Sequence, residues 1–164
     1  MNKKKWLIGS SVIVVCVLIA AFSFVLVNNK RSINKLIAQL ENAINTYDIE
    51  KIIDLYPDYC KNDVIKYFSQ EKLNEFYNNV LVQDNEDIKT QILNISSFGK
   101  SSCNDIMEQI AEDYQENIVV EDYQLVQIKY HNDFSESNLQ VIKIEGNYYL
   151  YFYGNIGEPL SYFH

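Results

Sequence analysis

Hydrophobic and polar positions follow two different rules along this chain. Residues 6–27, opening at Trp6 and closing at Val27, hold no charge in 22 positions. Coiled as a helix at about 1.5 Å per residue, the run is about 33 Å long, which matches a bilayer hydrocarbon core of about 30 Å. Beyond residue 31 the apolar positions become periodic. Ile33, Leu36, Ile37, Leu40, Ala43, Ile44 and Tyr47 recur every three or four residues, the stripe of an amphipathic helix, with Ser32 placed to cap it. Asp48 is placed to cap a second, short helix with Ile49, Ile52, Ile53 and Tyr56 on its apolar side, and Pro57 ends it.

Helical spacing continues over residues 63–82, with Ser69 dividing it. Residues 88–98 are Ile-rich with partial alternation and stop at Gly99, which predicts a strand. Ser102 and Asp105 have the spacing of a capping box before a helix whose face is Ile106, Met107, Ile110, Ala111 and Tyr114. Residues 119–130, 139–145 and 148–153 are rich in Val, Ile, Tyr and Leu. The last two are predicted to form a hairpin turning at Gly146 and Asn147. The order of helices, strand, helix and antiparallel meander is that of an α+β domain with helices packed on a sheet.

Charge sharpens the division. Of 14 basic and 22 acidic residues, residues 1–30 hold four Lys and no acid, so they carry +4 and the remainder carries −12. The organisation expected is a cytoplasmic tail (1–5), a transmembrane anchor (6–27), a linker (28–31) and an extracytoplasmic domain (32–164). Lys3, Lys4 and Lys5 favour a cytoplasmic N-terminus. The competing expectation is a secreted domain released by cleavage after Ser23, since Ala21 and Ser23 are small residues in the positions a signal peptidase reads. An excess of acid in the outer region argues against nucleic acid, whose phosphates need clustered Lys and Arg. The expected partners are the membrane, through Trp6 to Val27, and an envelope protein or a second copy of the chain. An Ile-, Asn- and Lys-rich, Gly-poor composition points to a low-GC Gram-positive source.

Two segments resemble nuclear-transport-factor-two-like, or cystatin-like, domains of bacterial surface proteins. Asp48-Ile49-Glu50-Lys51-Ile52 with Leu55 and Pro57 is similar to an opening motif of those domains. Val141-Ile142-Lys143-Ile144-Glu145-Gly146-Asn147-Tyr148-Tyr149-Leu150 is similar to their closing hairpin, with Tyr148 where Trp is usual. The resemblance implies a curved sheet wrapped around helices as a cone, and many members of such families bind or scaffold. Enzymes of that fold build proton-transfer sites from Asp, His and Tyr.

The chemistry in the sequence is sparse. His131 opens a polar loop and His164 is the last residue; His131, Asp133 and Glu136 match no metal spacing. No catalytic, cofactor or metal site is expected, and no cofactor. Cys60 and Cys103 form either a disulfide, permitted outside the cytoplasm, or two buried thiols. All 13 Tyr lie beyond the apolar run. Alternation places Tyr149, Tyr151 and Tyr153 on one face of the last strand, a candidate contact surface; ordinary packing of amphipathic rings is the alternative.

Overall fold

A computed structural model describes residues 3–46, 48–67, 89–130 and 134–152. The predicted helical stretch beyond residue 67, Tyr153 and the tail, His131, Asp133 and His164 lie outside these residues. The chain divides into two compact units, Met1–Asn34 and Lys35–His164.

Helix α1, Lys3–Asn45, opens in the first unit and ends in the second. It runs unbroken through residues 28–31, expected as a linker, and through Ser32, expected as a cap. Neither Gly nor Pro interrupts this stretch. Once the preceding turn is helical, the N–H groups that a cap would satisfy already have carbonyl partners. Among the described residues no helix is long and apolar enough to cross a membrane; for residues 3–22 only the helical backbone is described.

In the second unit Leu36, Ile37, Leu40, Ala43 and Ile44 are buried, as their spacing requires. Helix α2, Ile49–Ile53, is capped by Asp48, whose carboxylate accepts the Lys51 N–H at 3.0 Å. The Lys51 ammonium, 2.7 Å away, holds that carboxyl below its usual range. Pro57 precedes a 3-10 turn, Asp58–Cys60, which leads into α3, Lys61–Tyr67.

Four strands form an antiparallel meander in chain order: β1 (Thr90–Ser97), β2 (Asp122–Tyr130), β3 (Phe134–Ile144) and β4 (Asn147–Leu150). This sheet and its helices confirm the α+β class. Helix α4, Lys100–Tyr114, lies between β1 and β2 in the chain. Its N-cap is Gly99, not Ser102. The Gly99 carbonyl accepts the Ser102 N–H at 3.0 Å, so Ser102 already belongs to the first turn and its hydroxyl makes no cap.

The sheet has two unlike faces. On the first lie Asp122, Gln124, Val126 and Ile128 of β2, opposite Lys143, Val141, Leu139 and Ser137 of β3, with Tyr148 and Leu150 of β4 beyond. All are buried except the half-buried Asp122 and Lys143. Tyr56 meets Phe152 edge-on at 6.4 Å, and the Leu150 N–H bonds to the Leu55 carbonyl, so the segment after α2 helps close this face. On the second face the described residues cover the turn end. There Cys103, Ile106 and Ile110 of α4 pack with Val120 and Ile142, and Tyr123, Ile144, Tyr149 and Tyr151 surround them. The far end carries Gln127, Glu136 and Asn138.

The β3–β4 turn sits at Glu145 and Gly146, with Ile144 opposite Asn147, rather than at Gly146 and Asn147. Both turn residues have positive φ, 49° and 78°, the backbone of a tight hairpin turn that matches strand twist. The Glu121 carboxylate accepts the Gly146 N–H at 2.9 Å and pins the turn there. Moving the turn by one residue ends β3 one residue earlier and starts β4 one residue earlier, a register change of two, so Ile142, Tyr149 and Tyr151 keep the shared face the sequence assigns them.

β1 contains a bulge between Ile92 and Asn94. The extra residue, Leu93, is exposed, and the bulge lets Ile92 and Ile95, three apart, both address the first face. The partial alternation seen in the sequence is this bulge.

Candidate functional site

The strongest polar constellation is a cluster at the turn end of the first face. Asp122 and Gln124 stand two apart on β2, and so point the same way. Tyr148 comes from β4 and Ser97 from the end of β1. The Tyr148 hydroxyl donates to Asp122 Oδ2 at 2.7 Å, the Gln124 amide donates to the same oxygen, and Ser97 Oγ donates to Oδ1 at 3.3 Å. The Gln124 amide also lies 3.4 Å from the Tyr148 hydroxyl. Lys143 roofs the cluster, its ammonium 5.8 Å from the Tyr148 ring centre and 3.3 Å from the Glu121 carboxylate.

Burial, then the hydrogen bond to Asp122 and the negative charges of Asp122 and Glu121, push the Tyr148 hydroxyl well above the ordinary tyrosine range. It is therefore a fixed donor. The cluster converges three donors from three strands on one carboxylate, so it ties β1, β2 and β4 together. The sequence carried one signal for it. Asp122 and Gln124 share the parity of Val126 and Ile128, and polar residues in a buried register need partners.

The candidate contact tyrosines are placed differently. Tyr149 and Tyr151 are half-buried against the α4 layer, and the Tyr151 hydroxyl donates to Gln109 of α4 at 3.0 Å. Tyr151 also meets Tyr123 edge-on at 6.2 Å, and Tyr123 stacks on Phe98 at 4.5 Å. Helix α4 thus covers much of the face that the sequence offered as a contact surface. The aromatic row emerges instead at Phe98, beside the exposed β1 edge.

Cys60 and Cys103 are both free and buried, the second of the two alternatives that the sequence leaves open. The Cys60 thiol donates to the Pro57 carbonyl at 3.3 Å, and burial pushes its pKa up to about 12. Burial also raises Cys103. A raised thiol pKa makes a poor nucleophile at neutral pH. Beside them Tyr59 and Tyr114 pack at 4.9 Å between ring centres. Among the described residues neither hydroxyl has a hydrogen-bond partner. Both are raised, chiefly by burial.

Among the described residues no group of three or more His, Cys, Asp or Glu is arranged to hold a metal ion. Glu136, considered above with His131 and Asp133, lies on β3 and accepts from the Gln127 amide at 2.7 Å. No family model matches the chain, and neither a curated protein nor a solved structure is found to be similar to it.

Proposed function

We propose that this chain is a single-pass, membrane-anchored protein whose outer α+β domain works by binding, as a scaffold or accessory within an envelope complex. The observation that carries the anchor is at residues 24–27. Phe24, Val25 and Val27 are 67%, 52% and 49% exposed on a helix. At about 100° per residue these positions span an arc of about 160° around the axis. An exposed apolar arc that wide suits a hydrocarbon solvent and does not suit water. It continues the uncharged run that begins at Trp6.

Charge supports the orientation, with the Lys cluster inside and the −12 domain outside. The resemblance to cystatin-like cones belongs to the same proposal. The test is alkaline extraction of membranes, with protease treatment of intact cells and sequencing of the mature N-terminus. The anchored protein resists extraction, begins at Met1 or Asn2, and loses its outer domain to protease. Recovery in the medium with Phe24 as first residue supports the secreted alternative.

A second reading, a small-molecule-binding or proton-transfer domain, draws on the buried Tyr148 and the half-buried Asp122 it bonds. A ligand there has to displace the Gln124 amide or the Ser97 hydroxyl. Gln124→Ala enlarges the site and is expected to raise affinity for hydrogen-bonding aromatic probes if that reading holds. Unchanged fluorescence on titration with phenols counts against it.

A further inference from the structure

We propose that β1 is a homotypic pairing edge, in which the outer side of residues 94–98 pairs antiparallel with the same stretch of a second copy. The two four-stranded sheets then become one continuous sheet. The inference takes its tethered, binding character from the reading above.

The backbone supplies the geometry. The Phe98 N–H bonds to the Tyr123 carbonyl at 2.9 Å, which makes Phe98 and Tyr123 a hydrogen-bonded pair. In an antiparallel ladder such pairs alternate. Ser96 opposite Leu125 and Asn94 opposite Gln127 therefore also face β2, whereas the N–H and C=O groups of Ile95 and Ser97 face outward. Among the described residues no strand pairs with this side.

The side chains say what fits. Protected edges carry Lys, Glu or Pro, point a charge inward, or are twisted away by a bulge. Thr90–Ser97 has no such residue in eight, in a region that otherwise carries −12, and its bulge at Leu93 precedes the stretch 94–98. A basic partner finds no charge to recognise on this strand. Two identical acidic domains, in contrast, repel over most of their surface and meet at a neutral edge without apposing like charges along it. Leu93 and Phe98, 41% and 38% exposed, flank the outward-facing stretch and gain cover when it pairs. The bulge at Leu93 keeps the pairing short and thus reversible; confinement to one membrane raises the effective concentration that a short pairing needs.

The test uses the full chain in native membranes, in a Cys16→Ser background, with single cysteines at Asn94, Ser96 or Ser97 and mild oxidation. At least one of these positions is expected to give a disulfide-linked dimer, while Glu108→Cys on the exposed side of α4 gives none. Added to the Asn94 or Ser96 cysteine, S97P removes an outward N–H together with the hydroxyl that bonds Asp122, and S97A removes the hydroxyl alone; S97P abolishes the dimer, S97A keeps it, and both leave the circular dichroism spectrum unchanged. Ser96→Lys lowers dimerisation, measured by chemical crosslinking, and mixing it with Ser96→Asp chains restores it. Equal crosslinking at Glu108→Cys, or none at all three β1 positions, overturns the proposal. A chain that is extracted as a soluble protein overturns the anchor instead, and the same cysteines in that soluble chain still decide the pairing edge.

Discussion

The two faces of the sheet solve the same problem, burying tyrosine, in opposite ways. On the first face Tyr148 is buried with its hydroxyl bonded to Asp122. In the layer between α4 and the second face, Tyr59 and Tyr114 bury hydroxyls that find no partner among the described residues. A buried hydroxyl that has left water without replacing its hydrogen bonds costs about 1 to 3 kcal/mol. Two rings so placed are held by their aromatic area rather than by their polar tips. The first face is specified by matched polar groups, and the α4 layer by shape.

The comparison breaks first at its foundations, with Ile128 on the first face and Ile142 on the second, both fully buried. Ile128→Ala and Ile142→Ala are each expected to lose about 2 to 5 kcal/mol in urea denaturation, the transfer and cavity cost of a large aliphatic side chain. A loss at Ile142 much smaller than at Ile128 means that the α4 layer is no part of the cooperative core. Tyrosine-to-phenylalanine changes then sharpen the contrast. Tyr148→Phe removes a donor from a carboxylate and loses about 1 to 3 kcal/mol on the same measurement. Tyr59→Phe and Tyr114→Phe change stability by less than about 1 kcal/mol or raise it, since no bond is broken. An equal loss at all three sites means that Tyr59 and Tyr114 do have partners.

The pH dependence follows from the direction of the shifts. Tyr59, Tyr114 and Tyr148 ionise above the ordinary tyrosine value of 10.0 in the folded chain, and Cys60 at about 12 against an ordinary thiol's 9.0. Folding favours the protonated form of each. Their contribution is complete below about pH 9, and it falls as pH rises through the unfolded values toward the folded ones. The thermal midpoint should accordingly be insensitive to these groups near neutrality and decline from pH 9 upward, with tyrosinate absorbance rising at unfolding. Ellman's reagent provides the smallest effect: at pH 8 Cys60 and Cys103 react slowly until denaturant is added.

The sequence made the elements legible where one signal dominated. The stripe from Ile33 to Ile44, the Asp48 cap and the face Ile106, Met107, Ile110 all stand where periodicity puts them. It misplaced boundaries where two local signals competed. Ser32 and Ser102 are good caps that lie inside helices, because the backbone before each was already helical or was capped by Gly99. The polar cluster was out of reach for another reason. Ser97, Asp122 and Tyr148 come together only through the register of three strands, and register was the feature the hairpin left open. Tyr149 and Tyr151 were assigned the right face, but only the placement of α4 reveals that the face is roofed.

The bond from the Leu150 N–H to the Leu55 carbonyl has a consequence for the order of assembly. Together with the Glu41 carboxylate that receives the Thr90 N–H, and Tyr151 reaching Gln109, it means the earlier and later parts of the second unit complete one another. Contacts of such sequence separation slow folding, because a long loop must close before they form. A nascent chain emerging from its N-terminus cannot finish this unit until β4 is free, so the Leu55 carbonyl and Gln109 wait for their partners through most of synthesis. Under the membrane-anchored reading proposed above, that delay keeps the domain unfolded, and so transportable, until β4 arrives.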